Sequence, residues 1–216
     1  MFVSKVFGGT VAGVGPHRFD SLMNIFSTLG TVVGTGYSSG LNLYATILTL
    51  GLLQRFGVVH LPAGLQVLTH PAVLAIAAVL YFVEFFADKI PYVDTVWDAI
   101  HTFIRPPAAA FLAYASTNSV APEWRWGAAL LAGGVALTSH SAKASTRAAV
   151  NASPEPFSNW MLSIAEDFLA VWLTWMASVH PIATAAAVGA LLILSAFLIF
   201  HLFRFARRAF QRLSTV

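Results

Sequence analysis

The chain has 216 residues, of which 57% are hydrophobic and 10% charged, with a formal net charge of +3. A mean hydropathy of +0.74 excludes an ordinary soluble domain, in which roughly a quarter of residues are charged. The lack of cysteine excludes disulfides, cysteine-based zinc or iron–sulfur sites and thiol catalysis.

The chain is long enough for about six membrane helices of roughly 20 residues each. Residues 1–23 are glycine-rich and lack the continuous apolar core of a signal peptide, so they are expected to be a retained interfacial segment. A first membrane half covers residues 24–120. Its first span, Asn24 to Leu53, is interrupted by glycine and hydroxyl residues, and a loop with Pro62, Gly64 and Pro71 follows. The second span, Ala72 to Phe86, leads into an acidic segment. Tyr92 to Arg105 has the spacing of an amphipathic helix: Asp94, Asp98, His101 and Arg105 on one stripe, Val93, Trp97, Ile100 and Ile104 on the other. Pro106 and Pro107 are expected to stop it. Ala108 to Ser116 is apolar but short, so these two pieces predict a broken or re-entrant third element, tolerated only where protein or water covers the backbone.

A second membrane half covers residues 121–205, and residues 206–216 form a basic tail. Trp124 and Trp126 read as interfacial tryptophans opening a fourth span that ends near Ala144. Asn159 to Ser178 and Ile182 to Phe205 are the fifth and sixth. With both ends in the cytoplasm, ten Lys and Arg residues lie inside and only Arg55 and Arg125 outside. That asymmetry predicts a multi-pass protein of a bacterial inner membrane. The basic tail reads as a topology anchor, and no nucleic acid is expected as a partner. Thr35 to Thr46 and Leu137 to Ala148 echo each other, as do Phe82 to Asp88 and Ile164 to Ala170. Three elements per half would make these an inverted repeat, an architecture of secondary transporters. The fold class expected is an all-α polytopic bundle.

Carboxylates are costly beside hydrocarbon, so those within or near spans mark candidate sites. Glu84 and Asp88, four apart, share a helix face with Lys89 adjacent. The Asp94, Asp98, His101 and Arg105 stripe would either face water with its charges paired locally or line a polar cavity. Asp94, Asp98 and His101 would also suit a metal, although the paired Glu-x-x-His pattern of di-iron bundles is missing. Gly30/Gly34 and Gly36/Gly40 permit tight helix packing, or an unwound stretch in which Ser38 and Asn42 line a pathway. Gly36 to Gly40 also fits G-x-S-x-G, but a nucleophile elbow needs a strand–turn–helix context that an apolar span does not supply. His140 and Lys143 lie near the inner end of the fourth span with Arg147 one turn on. Glu166 and Asp167 lie inside the fifth; as neighbours they point about 100° apart. One at least should face the interior, paired with Lys143 or protonated. Phosphate-loop, dinucleotide-fingerprint and H-E-x-x-H motifs are missing, which argues against an ATP-driven pump in this chain.

The segment VEFFADKIPYVDTVWDAIHTFIRPPAAAFLA, with the earlier SGLNLYATILTLGLLQRFG, resembles the bacterial membrane protein family known as domain of unknown function 4126. The similarity covers most of Leu29 to Ser145. Asn42, Glu84, Asp88, Lys89, Asp94, Trp97, Asp98, His101, Arg105, Pro106 and Pro107 match its motif positions. The resemblance implies a membrane class and singles out the acidic segment, without implying a reaction.

These features lead to the expectation of a small secondary transporter or channel for a cation, a proton-coupled solute or a small polar molecule. Enzymatic activity and a cofactor are not expected. The alternatives are an accessory or scaffold subunit of a membrane complex, displaying its charges to a partner or a second copy, and a lipid-handling protein. Membrane lipids are partners in every case.

Overall fold

The computed structural model describes residues 16–152 and 157–213, with side chains from Met23 onward except at 206, 209, 210, 212 and 213. The expected interfacial segment therefore lies mostly outside the described residues, and from Pro16 the backbone is already helical. Among the described residues the regular elements are all helices: α1 (Pro16–Leu41), α2 (Leu43–Arg55), a 3-10 helix (Ala63–Thr69), α3 (Pro71–Ala87), α4 (Val93–His101), α5 (Arg105–Ser116), α6 (Pro122–Val150), α7 (Phe157–Val179) and α8 (Pro181–Leu213). Two, Phe157–Val179 and Pro181–Phe205, are long and apolar enough to cross a membrane. The 3-10 helix and α3, bent by 69°, make a third candidate if taken together.

The expected first span is two helices. Asn42 alone separates α1 from α2, with extended backbone (φ −150°, ψ 103°). The chain turns back there: Val32 of α1 packs with Ala113, Leu50 of α2 with Leu112 and Ala115, and Thr31, Thr35 and Leu50 border one cavity. The glycine-rich stretch before it stays helical and is used for close packing. A Cβ on Gly34 would sit 2.6 Å from that of Ala177, and one on Gly40 would run into Ser139 and the Ala136 carbonyl.

This reversal changes the expected topology. Leu41 of α1 meets Lys143 of α6 and Thr31 meets Ala177 of α7, while Gly30 and Gly34 lie against Pro181 and Thr184 of α8. Thus α6 and α8 run parallel to α1, and α7 runs against it. The start of α1 and the end of α8 lie at opposite ends of the bundle, whereas a single crossing from Asn24 to Leu53 had placed both ends together. The expected inverted repeat also fails as a symmetry. Of its first pair, Thr35 to Leu41 on α1 runs parallel to Leu137 to Ala148 on α6, while the remainder to Thr46 lies past the reversal on α2. Its second pair, at the end of α3 and in α7, runs antiparallel, so no single inversion relates both.

The acidic segment differs as well. α4 ends at His101, and Pro106 and Pro107 open α5 instead of stopping a helix; the first turn tolerates proline because its N–H groups have no intrahelical partner. Tyr92, at φ 71°, turns the chain between α3 and α4, a left-handed conformation that is costly for a tyrosine. The faces of α4 are inverted relative to a water-exposed amphipathic helix: Val96 and Ile100 are exposed, while Asp94, Asp98 and His101 are buried. The same holds across the molecule. Phe82, Phe86, Ile193, Phe197 and Phe200 face outward, and most of the acids face inward. An apolar exterior around a charged interior suits a hydrocarbon surrounding.

Candidate functional site

Six of the nine acidic residues converge on one end of the bundle interior: Glu84, Asp88, Asp94, Asp98, Glu166 and Asp167 are all buried. Three buried cations hold them. Arg105 at the start of α5 reaches Glu84 at 2.8 Å and Asp98 at 3.5 Å. Lys143 of α6 lies 2.9 Å from Asp88, 3.4 Å from Glu84 and 3.8 Å from Glu166. Arg147, one turn further, binds Glu166, donates to Asp88 Oδ2 at 3.0 Å and lies 3.9 Å from Asp94.

These cations also close helix ends. The last carbonyls of a helix lack intrahelical donors, and its C-terminus attracts positive charge. Arg105 donates to Gly40 O at 3.1 Å and Lys143 to Leu41 O at 2.9 Å, both at the end of α1. Arg147 donates to Asp88 O at 2.8 Å at the end of α3. The reversal at Asn42 thus brings backbone polarity into the interior and α6 answers it. Asn42 itself caps α2, accepting from Ala45 N at 2.9 Å, and donates to Asp167 Oδ1 at 2.8 Å.

The two buried histidines have assignable protons. Arg105 Nη1 lies 2.7 Å from His140 Nδ1; a guanidinium only donates, so Nδ1 accepts and the Nε2 proton goes to Asp98 O at 3.0 Å. His101 donates from Nδ1 to Trp97 O at 2.8 Å and accepts the Tyr44 hydroxyl on Nε2 at 3.0 Å. α4 is too short to be a span. There burial, and then the Arg105 charge, hold the His101 imidazole below its ordinary value. Burial pushes Asp98 up against the pull of Lys143 and Arg105. The Asp98–Arg105 contact is long and Asp98 Oδ2 has no hydrogen-bond partner, which is why desolvation dominates.

Of the residues singled out by sequence, ten meet in or beside this network: Asn42, Glu84, Asp88, Asp94, Asp98, Arg105, His140, Lys143, Glu166 and Asp167. His101 touches it through Tyr44 and α4. Ser38 does not reach it; its hydroxyl donates to Thr35 O at 3.2 Å and accepts from Thr174 at 3.0 Å. As a residue inside a helix, Ser38 also lacks the turn a nucleophile elbow needs. Lys89 sits at the edge, donating to Phe85 O at 3.0 Å and Ser163 at 3.3 Å over the Phe85 ring. Asp94 and His101 take separate partners, Asn151 and Asn159 for the former. Among the described residues no three His or acidic side chains could hold a metal ion.

Glu84 Oε2, Asp88 Oδ1, Asp98 Oδ2 and Asp167 Oδ2 are buried without hydrogen-bond partners. Six carboxylates against three fixed cations leave the interior with a surplus of three negative charges if all are ionised (6 − 3 = 3). Buried charge without a partner of opposite sign is costly.

The "Domain of unknown function (DUF4126)" family description matches residues 29–201. The chain belongs to the DUF4126 family. No curated protein and no solved structure matches it. The family match continues past Ser145 through α7 and most of α8, so the acids of α3 and α4 and the Glu166–Asp167 pair that meets them lie within one DUF4126 region. Its weight in sequence falls on Glu84–Pro107; its weight in space is shared with α6 and α7. Arg147, which meets Asp88, Asp94 and Glu166, reads from sequence as an inner-end basic residue that either snorkels or complements the acids across a cavity. The signal was there: His140, Lys143 and Arg147 follow each other at three and four residues, one face of α6. Tyr44, Asn151, Asn159 and Thr174 carried none, being ordinary polar residues until the fold gives each a buried partner.

Proposed function

We propose that this protein is a multi-pass membrane protein that moves protons, alone or coupled to a small solute, as a small secondary transporter or channel. One observation carries the reading: carboxylates from α3, α4 and α7 gather around α6 in a buried network with fewer fixed cations than acids. Protons are favoured over metal cations because the gathered acids are each turned to Arg, Lys or Asn donors and, among the described residues, no three of them are placed to hold one ion. Carboxylates in a low-dielectric setting hold protons nearer neutral pH than they do in water, and intramembrane acids of this kind serve relays in pumps and transporters.

The bundle would stand with the network toward the cytoplasm. Lys89, Arg105, Lys143 and Arg147 and the arginines of α8 share that end, while Arg55, Arg125 and, at the start of α1, Arg18 lie at the other. From Trp126 to Arg147 α6 rises roughly 31 Å, the thickness of a bilayer core. In this placement α6 crosses with α1, α7 and α8, and α2, α3 and α5 are shorter passes held by their neighbours. A cytoplasmic-membrane location follows from the same asymmetry. The scaffold alternative requires acids displayed outward, and their burial supports it less.

The test is proton flux. The protein would be reconstituted in liposomes with a pH-sensitive dye and a valinomycin-set potassium potential. Glu84→Gln and Asp98→Asn are expected to abolish or strongly reduce the flux of the parent. If both variants fold and conduct as the parent does, the relay is wrong.

A further inference from the structure

At the end of the bundle opposite the charge network lie two adjoining cavities. One, of about 280 Å³, is lined by hydroxyls, among them Thr31, Thr35, Ser116 and Ser178, with His60 at its side. The other, of about 960 Å³, is an apolar groove between α1 and α6 lined by Ile25, Leu29, Val32, Val120 and Leu131, with Trp124 at its rim. Ser27, Thr28 and Ser119 line both, so the two adjoin at these residues. Val32 and Thr117 form the buried floor of the groove, while Ile25, Leu29 and Trp124 are exposed at its open side. Among the described residues, Lys, Arg, Asp and Glu are missing from both linings.

We propose that this pair of cavities binds one molecule of a neutral, single-chain amphiphile. Its uncharged hydroxyl-bearing head donates to threonine and serine oxygens, whose own protons go to backbone carbonyls, and its chain lies in the groove. Three features select that ligand. The polar part of the lining is mainly hydroxyl, which offers hydrogen bonds but no counter-charge, so an anionic or cationic head would be desolvated without compensation. The first cavity is mixed, with hydroxyls beside Leu50, Leu61 and Leu112, and the groove is mainly apolar, a gradient that suits a molecule with one polar end and one apolar end. The groove lies within the range of small-molecule sites and opens sideways, where hydrocarbon would be in a membrane, at the level of Trp124 and Trp126. The site is independent of the proton relay.

Gly127 supplies the test. It lines the groove, and a side chain added there meets nothing within 4 Å. Gly134, on the same helix, is equally open and outside the groove. The probe is a monoacylglycerol with a diazirine in its tail, in phosphatidylcholine nanodiscs, with crosslinks mapped by mass spectrometry. The parent and Gly134→Phe are expected to label at Leu29, Val32 and Leu131, and Gly127→Phe about tenfold less, the equivalent of about 1.4 kcal/mol. Excess monoolein should compete, whereas oleoyl lysophosphatidylglycerol should not. Labelling spread equally over the outer faces of α3 and α8, or unchanged in Gly127→Phe, overturns the proposal and leaves only bulk lipid at the groove. Thr28→Val, at the junction of the cavities, is the second variant should Gly127→Phe not fold; it should lose the preference for the neutral head.

Discussion

Arg147 gives the sharpest test of what holds the bundle together. It binds Glu166, donates to Asp88 Oδ2 at 3.0 Å and to Asp88 O at 2.8 Å, and lies 3.9 Å from Asp94. Arg147→Met keeps much of the length and removes the charge. Three carboxylates and the end of α3 then lose their shared donor, and the interior surplus grows by one. Removing one partner of a buried ion pair costs about 3–5 kcal/mol, because the other is left buried and uncompensated. For a chain of this size each kcal/mol corresponds to roughly 2–4 °C in Tm, so a loss on the order of 6–20 °C is expected. The assay is tryptophan-monitored thermal unfolding in detergent, for which the six tryptophans suffice. Glu166→Gln combined with Arg147→Met should recover part of the loss, since one orphaned charge is gone; that non-additivity is the signature of direct coupling. Arg208→Gln, on the exposed end of α8, should leave Tm within a degree or so. If Arg147→Met does the same, the network is not a determinant of stability.

Three further outcomes follow from single contacts. Gly40→Ala should destabilise by about 1–3 kcal/mol through overpacking against Ser139 and Ala136, whereas Gly134→Ala should be neutral or stabilise by up to about 1 kcal/mol; unfolding midpoints of the pair decide it. Asn42→Ala removes the α2 cap and the donor to Asp167, a loss of about 1–3 kcal/mol by the same assay. His101, facing Tyr44, Trp97 and Arg105, has its pKa lowered by burial. Its contribution to stability is therefore present above the ordinary value near 6.5 and lost as pH falls below it. On acidification from about pH 7.5 to 5.5, Tm of His101→Gln should drop less than that of the parent.

Composition and periodicity were enough to read the helices of the second half, because a long apolar helix needs no partner to declare itself. α7 and α8 begin and end within a few residues of the expected spans, though α8 continues to Leu213. The acids were legible for the same reason: Glu84, Asp88 and Glu166 cannot sit in apolar helices without a reason. What sequence did not carry was direction. Asn42 in a run of good helix formers reads as a polar interruption, and only the partner waiting at Asp167 makes it a reversal. Pro106-Pro107 reads equally as a stop or a start; Arg105, drawn into the interior by Glu84 and Gly40, decides for a start. α4 shows the ambiguity most plainly, since spacing fixes two stripes without saying which one faces in.

The position of the reversal bears on the charge balance. Two helix ends, those of α1 and α3, present carbonyls with partial negative charge to the same three cations that face six carboxylates, while the N-termini of α2 and α5 return some positive charge. Each helix end amounts to roughly half an elementary charge, so these contributions largely cancel and the surplus of acids stands. A bundle evolved only for stability would gain by replacing such a network with apolar side chains of equal volume. Holding the network in place, with four carboxylate oxygens free of donors, leaves sites at which a proton can be taken up and released without breaking an existing contact. In the proposed relay, that reserve of unpaired oxygens, not the ion pairs themselves, is the part of the interior that would take up and release protons.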